Sequence, residues 1–316
     1  MNHRPPWILP VIVVSQFSGT AIWFSGNAVL PEMMALWGEP SPMAGWITAA
    51  VQLGFITGTL VFALAAVADR FSPRRVFLFC AMAGALANLL PIVAGVSAGG
   101  LLVMRFICGL FLAGIYPVGM KIAAGWYKRS LGSGLGFLIG ALVLGTAFPH
   151  LLKGGPDALP WQMVLMISSG VCLSGGVLMF VLVPDGPYLA SGGRFDPMAV
   201  MTLFTYRPLR AAALGYFGHM WELYALWAFL PLFLSRHAAA VGHLRMDVSF
   251  WSFLIIAMGS VGCIGGGMAS GRLGSASVAR LQLAVSGICC LGSPLFFVLP
   301  PPFFLMLMLM WGIAVA

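Results

Sequence analysis

Residues 65–75 read AAVADRFSPRR and lie between two long apolar runs. A related stretch, GMASGRLG at residues 267–274, lies between two later apolar runs. The two stretches are 202 residues apart, counted from position 65 to position 267, and six candidate helices separate them. A signature that returns after six helices is typical of a duplicated six-helix membrane unit. The sequence therefore predicts two related halves.

The composition places the chain in a membrane. Of its 316 residues, 60% are hydrophobic and 8% are charged, whereas an ordinary soluble domain carries roughly 25% charged residues. This difference excludes a soluble enzyme, a nucleic-acid-binding domain and a disordered protein. The net charge is +8. Most of the basic residues lie between the apolar runs, where they set the orientation of the chain in the membrane. We therefore expect the lipid bilayer, and no nucleic acid, as a partner.

Ten apolar runs have the length of a membrane-spanning helix, which is about 20 residues. They are continuous and lack the alternation of outer-membrane strands, so they predict an all-α membrane protein. The ten predicted spans, numbered 1 to 10, are residues 8–30, 43–66, 75–96, 99–123, 132–152, 161–183, 210–234, 248–271, 278–298 and 300–316.

The basic residues divide unequally between the two sides of the predicted membrane. One set of connections holds eleven Lys and Arg residues and the other holds three. Because basic loops stay in the cytoplasm, the N-terminus is predicted to be cytoplasmic in a multi-pass protein of the inner (plasma) membrane.

The longest connection divides the chain. We predict an N-terminal six-helix bundle at residues 1–186, a cytoplasmic linker at 187–209 and a partial second bundle at 210–316. Within the linker, the stretch from Phe195 to Tyr206 is a candidate for a short helix at the membrane surface.

Two motifs resemble those of the major facilitator superfamily. Asp69, Arg70 and Arg74 match its signature between spans 2 and 3, and Arg105 with Gly109 matches its motif in span 4. The resemblance implies two pseudo-repeated six-helix bundles that alternate access to a central site. It also implies that Asp69, Arg70 and Arg74 form a conformational latch that stabilises the outward-facing state. Since the family usually has twelve spans, the resemblance further implies that spans 11 and 12 are missing and the second bundle is incomplete.

Glu222 and His219 are the candidates for proton coupling. Glu222 lies midway along span 7, and His219 precedes it by three residues on the same side of the helix. A carboxylate inside a bilayer is costly and marks function by default, and an imidazole beside it favours proton binding and release. The alternative is that the two side chains only satisfy each other or a neighbouring helix.

The candidate solute-binding residues come from spans 1, 4 and 7. Gln16, Trp23 and Asn27 follow a helical stripe in span 1, and by resemblance this span lines the cavity together with spans 4 and 7. The alternative for the stripe is hydrogen bonding between helices. The remaining candidates are Arg105, Tyr116 and Tyr216. For Arg105 the alternative is a structural role through bonds to carbonyl groups, and for the tyrosines it is ordinary packing. Tyr116 and Pro117 also predict a bend in span 4.

Together these features predict a monomeric secondary active transporter of a small solute, coupled to protons and working by alternating access. No phosphate-binding loop is present, so ATP is not the direct energy source, and no cofactor or metal is expected. Three alternatives stay open: a multidrug or metabolite efflux antiporter, a non-transporting membrane protein and an inactive fragment. An enzyme is not expected, because no acid, base or metal set converges in the sequence.

Overall fold

The computed structural model describes residues 5–38, 43–93, 97–127, 131–189, 197–242 and 246–316. The helices in this part of the chain are α1 (Ile8–Thr20), α2 (Ser25–Trp37), α3 (Met43–Leu64), α4 (Val67–Arg70), α5 (Pro73–Val93), α6 (Ala98–Leu112), α7 (Tyr116–Trp126), α8 (Leu131–Lys153), α9 (Trp161–Leu182), α10 (Pro197–Thr205), α11 (Arg207–Val241), α12 (Val248–Leu273), α13 (Ser275–Phe296) and α14 (Pro301–Ala314).

The all-α prediction is confirmed. Nine helical segments within the described ranges are long and apolar enough to cross a membrane, and the tenth predicted span is the shorter helix α14. The spans keep their numbers: 1 (α1 and α2), 2 (α3), 3 (α5), 4 (α6 and α7), 5 (α8), 6 (α9), 7 (α11), 8 (α12), 9 (α13) and 10 (α14). Span 7 is longer than predicted, because it runs over Arg207–Val241 instead of 210–234. Helix α10 confirms the short helix expected in the linker.

Spans 1 and 4 are each interrupted near the middle. The predicted bend at Tyr116 and Pro117 is confirmed, since α6 ends at Leu112 and α7 begins at Tyr116. Proline lacks the amide hydrogen that an α-helix needs and disfavours helical geometry in the residue before it. The first span, predicted over residues 8–30, is present and is longer than predicted. Span 1 breaks at residues 21–24 and then continues to Trp37.

Glycine allows spans 2 and 4 to touch backbone to backbone. A Cβ atom on Gly54 or Gly58 would overlap the carbonyl oxygen of Phe106 or Leu110 in span 4, and one on Gly109 would overlap the carbonyl oxygen of Val51. Small residues spaced four apart permit such close approach in lipid. These contacts hold spans 2 and 4 of the first half in a fixed register.

The two halves meet along spans 5 and 8. Gly136 and Gly140 of span 5 face the backbone of span 8, and a Cβ on Gly136 would lie 3.3 Å from the Cα of Gly267. We call the end of the bundle that carries Asp69, Arg70 and Arg74 the basic side. At the opposite side, the amide of Gly155 donates a hydrogen bond to Asp247, the residue that caps span 8. Spans 5 and 8 therefore approach each other from one end to the other.

Two glycine substitutions should differ in their effect on stability. Gly109→Ala places a methyl group on the Val51 carbonyl, so we expect a loss of about 1–3 kcal/mol, the usual cost of overpacking. Gly170→Ala adds the same methyl group in span 6, where nothing lies within 4 Å, so we expect a neutral or slightly stabilising effect. The apparent melting temperature of each purified variant in detergent, compared with that of the unchanged chain, measures the two effects. Equal melting temperatures for the two variants would contradict the backbone contact.

Candidate functional site

The interruptions in spans 1 and 4 place aromatic rings where the two halves meet. We call this group the interface cluster. Its members are Trp23, Phe24, Phe55, Tyr116, Tyr224 and Trp227. Trp23 lies at its centre, with ring centroids 4.9 Å from Phe55, 6.1 Å from Tyr224 and 6.4 Å from Tyr116. The cluster thus joins spans 1, 2 and 4 of the first half to span 7 of the second.

Several polar atoms at and near the cluster have no hydrogen-bond partner in the described part of the protein. Trp23 is 1% exposed, and its Nε1 is unpaired. The amide nitrogen of Gln52 is buried and faces the Tyr224 side chain. Gln16 is fully buried against Gly119 with both amide atoms free. Because a buried polar group without a partner costs about 1–3 kcal/mol, such atoms are candidates for ligand contacts.

Arg105 lies inside the first half, behind the cluster, and is 2% exposed. Its guanidinium donates to the carbonyl oxygen of Ile22 at 2.8 Å and to that of Trp23, both within the interruption of span 1. It also donates to Asn88 at 2.8 Å and to Ser25 at 3.3 Å. The bonds to the two carbonyl oxygens are those expected if Arg105 has a structural role. In this structure Arg105 supports the backbone that carries Trp23, and solute contact by Arg105 stays a prediction.

Asn27 makes a hydrogen bond to a neighbouring helix, as the alternative interpretation of the span 1 stripe predicts. Its side-chain nitrogen donates to the Thr48 hydroxyl at 2.8 Å and so joins span 1 to span 2. Each residue of the predicted span 1 stripe keeps a free polar atom, and for Asn27 this is the amide oxygen. The amide nitrogen of Asn27 is used between helices.

Glu222 is bound by two partners that the sequence analysis missed. Its Oε1 accepts a hydrogen bond from the Ser286 hydroxyl at 2.5 Å and from the Trp311 indole at 3.2 Å. These partners belong to spans 9 and 10, so Glu222 points into the second half. The hydrogen bonds of Glu222 therefore go to Ser286 and Trp311 instead of His219, whose buried Nδ1 is unpaired. Tyr216, two turns before Tyr224, is 53% exposed.

The family model described as Major Facilitator Superfamily matches residues 12–316. The chain belongs to the Major Facilitator Superfamily. This membership makes it a membrane transporter, a class of protein that binds small solutes within the bilayer. Comparison by sequence with curated proteins finds no match.

Solved structures of this superfamily share the fold at low identity. A mutant of the nucleoside transporter NupG is similar with a TM-score of 0.72 and 14% identity, over 98% of this chain and 80% of that one. The human organic anion transporter MFSD10 (TETRAN) is similar with a TM-score of 0.67 and 17% identity, over 98% of this chain and 83% of that one. A bacterial homologue of the human lysosomal transporter Spinster, in an inward-facing and unoccupied conformation, is similar with a TM-score of 0.68 and 14% identity. The match covers 98% of this chain and 72% of that one. At these identities the likeness shows the fold alone.

The superfamily signature on the basic side forms ion pairs within the first half. Asp69 pairs with Lys121 of span 4 at 2.5 Å, and Lys121 also donates to the carbonyl of Ala68. Arg74 lies 3.9 Å from Asp185 at the end of span 6, whereas Arg70 is exposed. The sequence analysis missed Lys121 and Asp185, although a lysine near the end of an apolar run was a signal for an acidic partner. The latch role of Asp69, Arg70 and Arg74 stays a prediction, since these ion pairs do not cross to the second half.

Arg105→Lys should destabilise this transporter even though the charge is kept. An ammonium group lacks the planar fork that reaches several acceptors at once, so carbonyls at the span 1 break lose their donor, at a cost of about 1–3 kcal/mol. Thermal unfolding in detergent measures the change. Arg236→Lys is the matched control, because Arg236 is exposed and should tolerate the same exchange. An Arg105→Lys variant as stable as this control would argue against the supporting role.

A charge swap tests the ion pair on the basic side. Asp69→Lys and Lys121→Asp each place like charges together and should lower stability by about 0.2–1 kcal/mol, the range for partly exposed pairs. The double variant should recover most of the loss, and a double-mutant cycle gives the coupling energy. Arg70→Asp, next to Asp69 but exposed, is the control. Additive losses in the double variant would show that the two side chains do not interact.

Proposed function

We propose that this chain is a proton-coupled secondary active transporter of a small solute, in which the two halves alternate access to the interface cluster. The observation that supports coupling most is the position of Glu222. It lies near the middle of span 7 and is bound only by the neutral donors Ser286 and Trp311 among its described hydrogen bonds. A carboxylate at that depth is costly while charged, so proton binding is a natural way to remove the charge.

Span 7 links the proton site to the interface cluster. Glu222 and Tyr224 are two residues apart on this helix, and they contact different partners. Glu222 binds spans 9 and 10, whereas Tyr224 stacks on Trp23 of the first half. An ionised carboxylate only accepts hydrogen bonds, whereas a protonated one also donates. Protonation of Glu222 would therefore change how spans 9 and 10 hold span 7, and with it the position of Tyr224.

The membrane orientation is part of the proposal. With eleven of the sixteen basic residues in one set of connections, the basic side faces the cytoplasm of the inner membrane. One proton that moves inward across 100 mV releases about 2.3 kcal/mol, which supports a solute gradient of about fiftyfold. We take no solute from the structural neighbours, whose identity to this chain is too low.

Glu222→Gln should abolish concentrative transport while exchange of the solute across the membrane continues. In liposomes with a trapped pH dye, a panel of uridine, lactate, glucose and tetraphenylphosphonium identifies solutes that move protons with them. For such a solute, the accumulation ratio should fall from up to about fiftyfold at 100 mV to unity in the variant.

Asp157→Asn is the matched control for this experiment. It removes one carboxylate from an exposed connection and should leave the accumulation ratio unchanged. Accumulation that persists in Glu222→Gln would refute coupling through this residue.

A further inference from the structure

We infer that the interface cluster is the solute site, and that its solute is a flat, uncharged ring that carries a hydrogen-bond acceptor. The inference rests on the proposed transport function and names the chemical class of what is carried. Three observations lead to it: the charges around the cluster have partners elsewhere, the cluster is shared between the halves, and the free polar atom of the cluster itself, the indole nitrogen of Trp23, is a donor.

The nearby charges do not face the cluster. Arg105 is the nearest cation, and both terminal nitrogens of its guanidinium are bound to carbonyls, to Asn88 and to Ser25 behind Trp23. Lys121 pairs with Asp69 on the basic side. The carboxylate of Glu222 is turned to spans 9 and 10. Since a formal charge on a buried solute needs a compensating partner, this arrangement favours an uncharged solute.

The aromatic faces of the cluster belong to both halves. Trp23, Phe55 and Tyr116 come from the first half, and Tyr224 and Trp227 come from the second. When the halves separate, the contact of Trp23 with Tyr224 opens and leaves an aromatic face on each side. A flat ring restores both contacts, because aromatic pairs favour offset or edge-to-face packing at centroid distances of about 4.5–7 Å.

The unpaired polar atoms select for an acceptor. The indole nitrogen of Trp23 is a donor only, and it is buried without a partner. The amide nitrogen of Gln52 is a second donor beside the cluster, and it faces Tyr224. The free indole donor repels a cation and is satisfied by a carbonyl oxygen or a ring nitrogen. An aromatic cage for a quaternary ammonium group would instead leave the indole donor unsatisfied.

Three probes of the same shape test the solute class. Benzamide, benzoate and benzamidinium share a phenyl ring and a planar head group, and they differ in charge. Equilibrium dialysis of each against the purified chain in detergent should show benzamide bound at least about tenfold more tightly than either ion. Strongest binding of benzoate would identify an anion carrier, and strongest binding of benzamidinium would identify a carrier of cations. Either result, or no binding of any probe, overturns the inference.

Two variants test the location. Trp23→Phe keeps an aromatic face and removes the donor, so benzamide affinity should fall about fivefold, the usual worth of one hydrogen bond. Trp46→Phe is the matched control, because Trp46 is 62% exposed on the surface of span 2 and should change nothing. Gln52→Leu removes the second donor. If Trp23→Phe does not fold, the benzamide affinity of Gln52→Leu tests the location of the site instead. Unchanged affinity in the folded donor variants would overturn the site.

The inference about the solute site and the proposal of proton coupling can fail independently of each other. If benzamide binds as expected but Glu222→Gln still concentrates solute, the coupling proposal fails and the site stands. If the wild-type chain concentrates solute with protons but benzamide does not bind, the solute class fails and the transport function stands.

Discussion

The bonds of Arg105 to the carbonyls of Ile22 and Trp23 are the interaction on which the candidate site depends. An interruption inside a membrane helix frees carbonyl groups that lipid cannot satisfy. Here the buried guanidinium of Arg105 in span 4 donates to both carbonyls, although it lies 83 residues after Ile22 and 82 after Trp23. Without this donor the carbonyls of Ile22 and Trp23 would each lose a hydrogen bond, which weakens the support of Trp23 at the junction of the two halves.

Each half has its own polar centre of opposite charge. The first half holds Arg105 among spans 1, 3 and 4, and the second holds Glu222 among spans 7, 9 and 10. Both terminal nitrogens of the Arg105 guanidinium donate to backbone and side-chain acceptors, which suits a fixed support. The acidic centre accepts hydrogen bonds from two neutral donors, Ser286 and Trp311. The duplicated halves have thus diverged, with support in one and proposed coupling in the other.

The features predicted correctly from the sequence were local ones. Apolar runs indicated the spans, and Pro117 indicated the bend in span 4, because each signal lies within a few residues of its effect. The break in span 1 was missed, since residues 21–24 contain no proline and the stabilising donor is Arg105. The partners of Asp69 and Glu222 were missed for the same reason. They come from other spans, and only the packing of helices brings them together.

Glycine sets the close contacts both within the first half and between the halves. Within the first half, Gly54 and Gly109 let spans 2 and 4 approach so closely that a Cβ on either residue would overlap a carbonyl group of the other span. Between the halves, Gly136 faces Gly267, and the side chain of Ile264 in span 8 packs on Gly140 in span 5. The proposed alternation of access requires the contact between spans 5 and 8 to change, because these spans join the halves. The interface cluster lies on the same boundary, so a movement of one half against the other would open it.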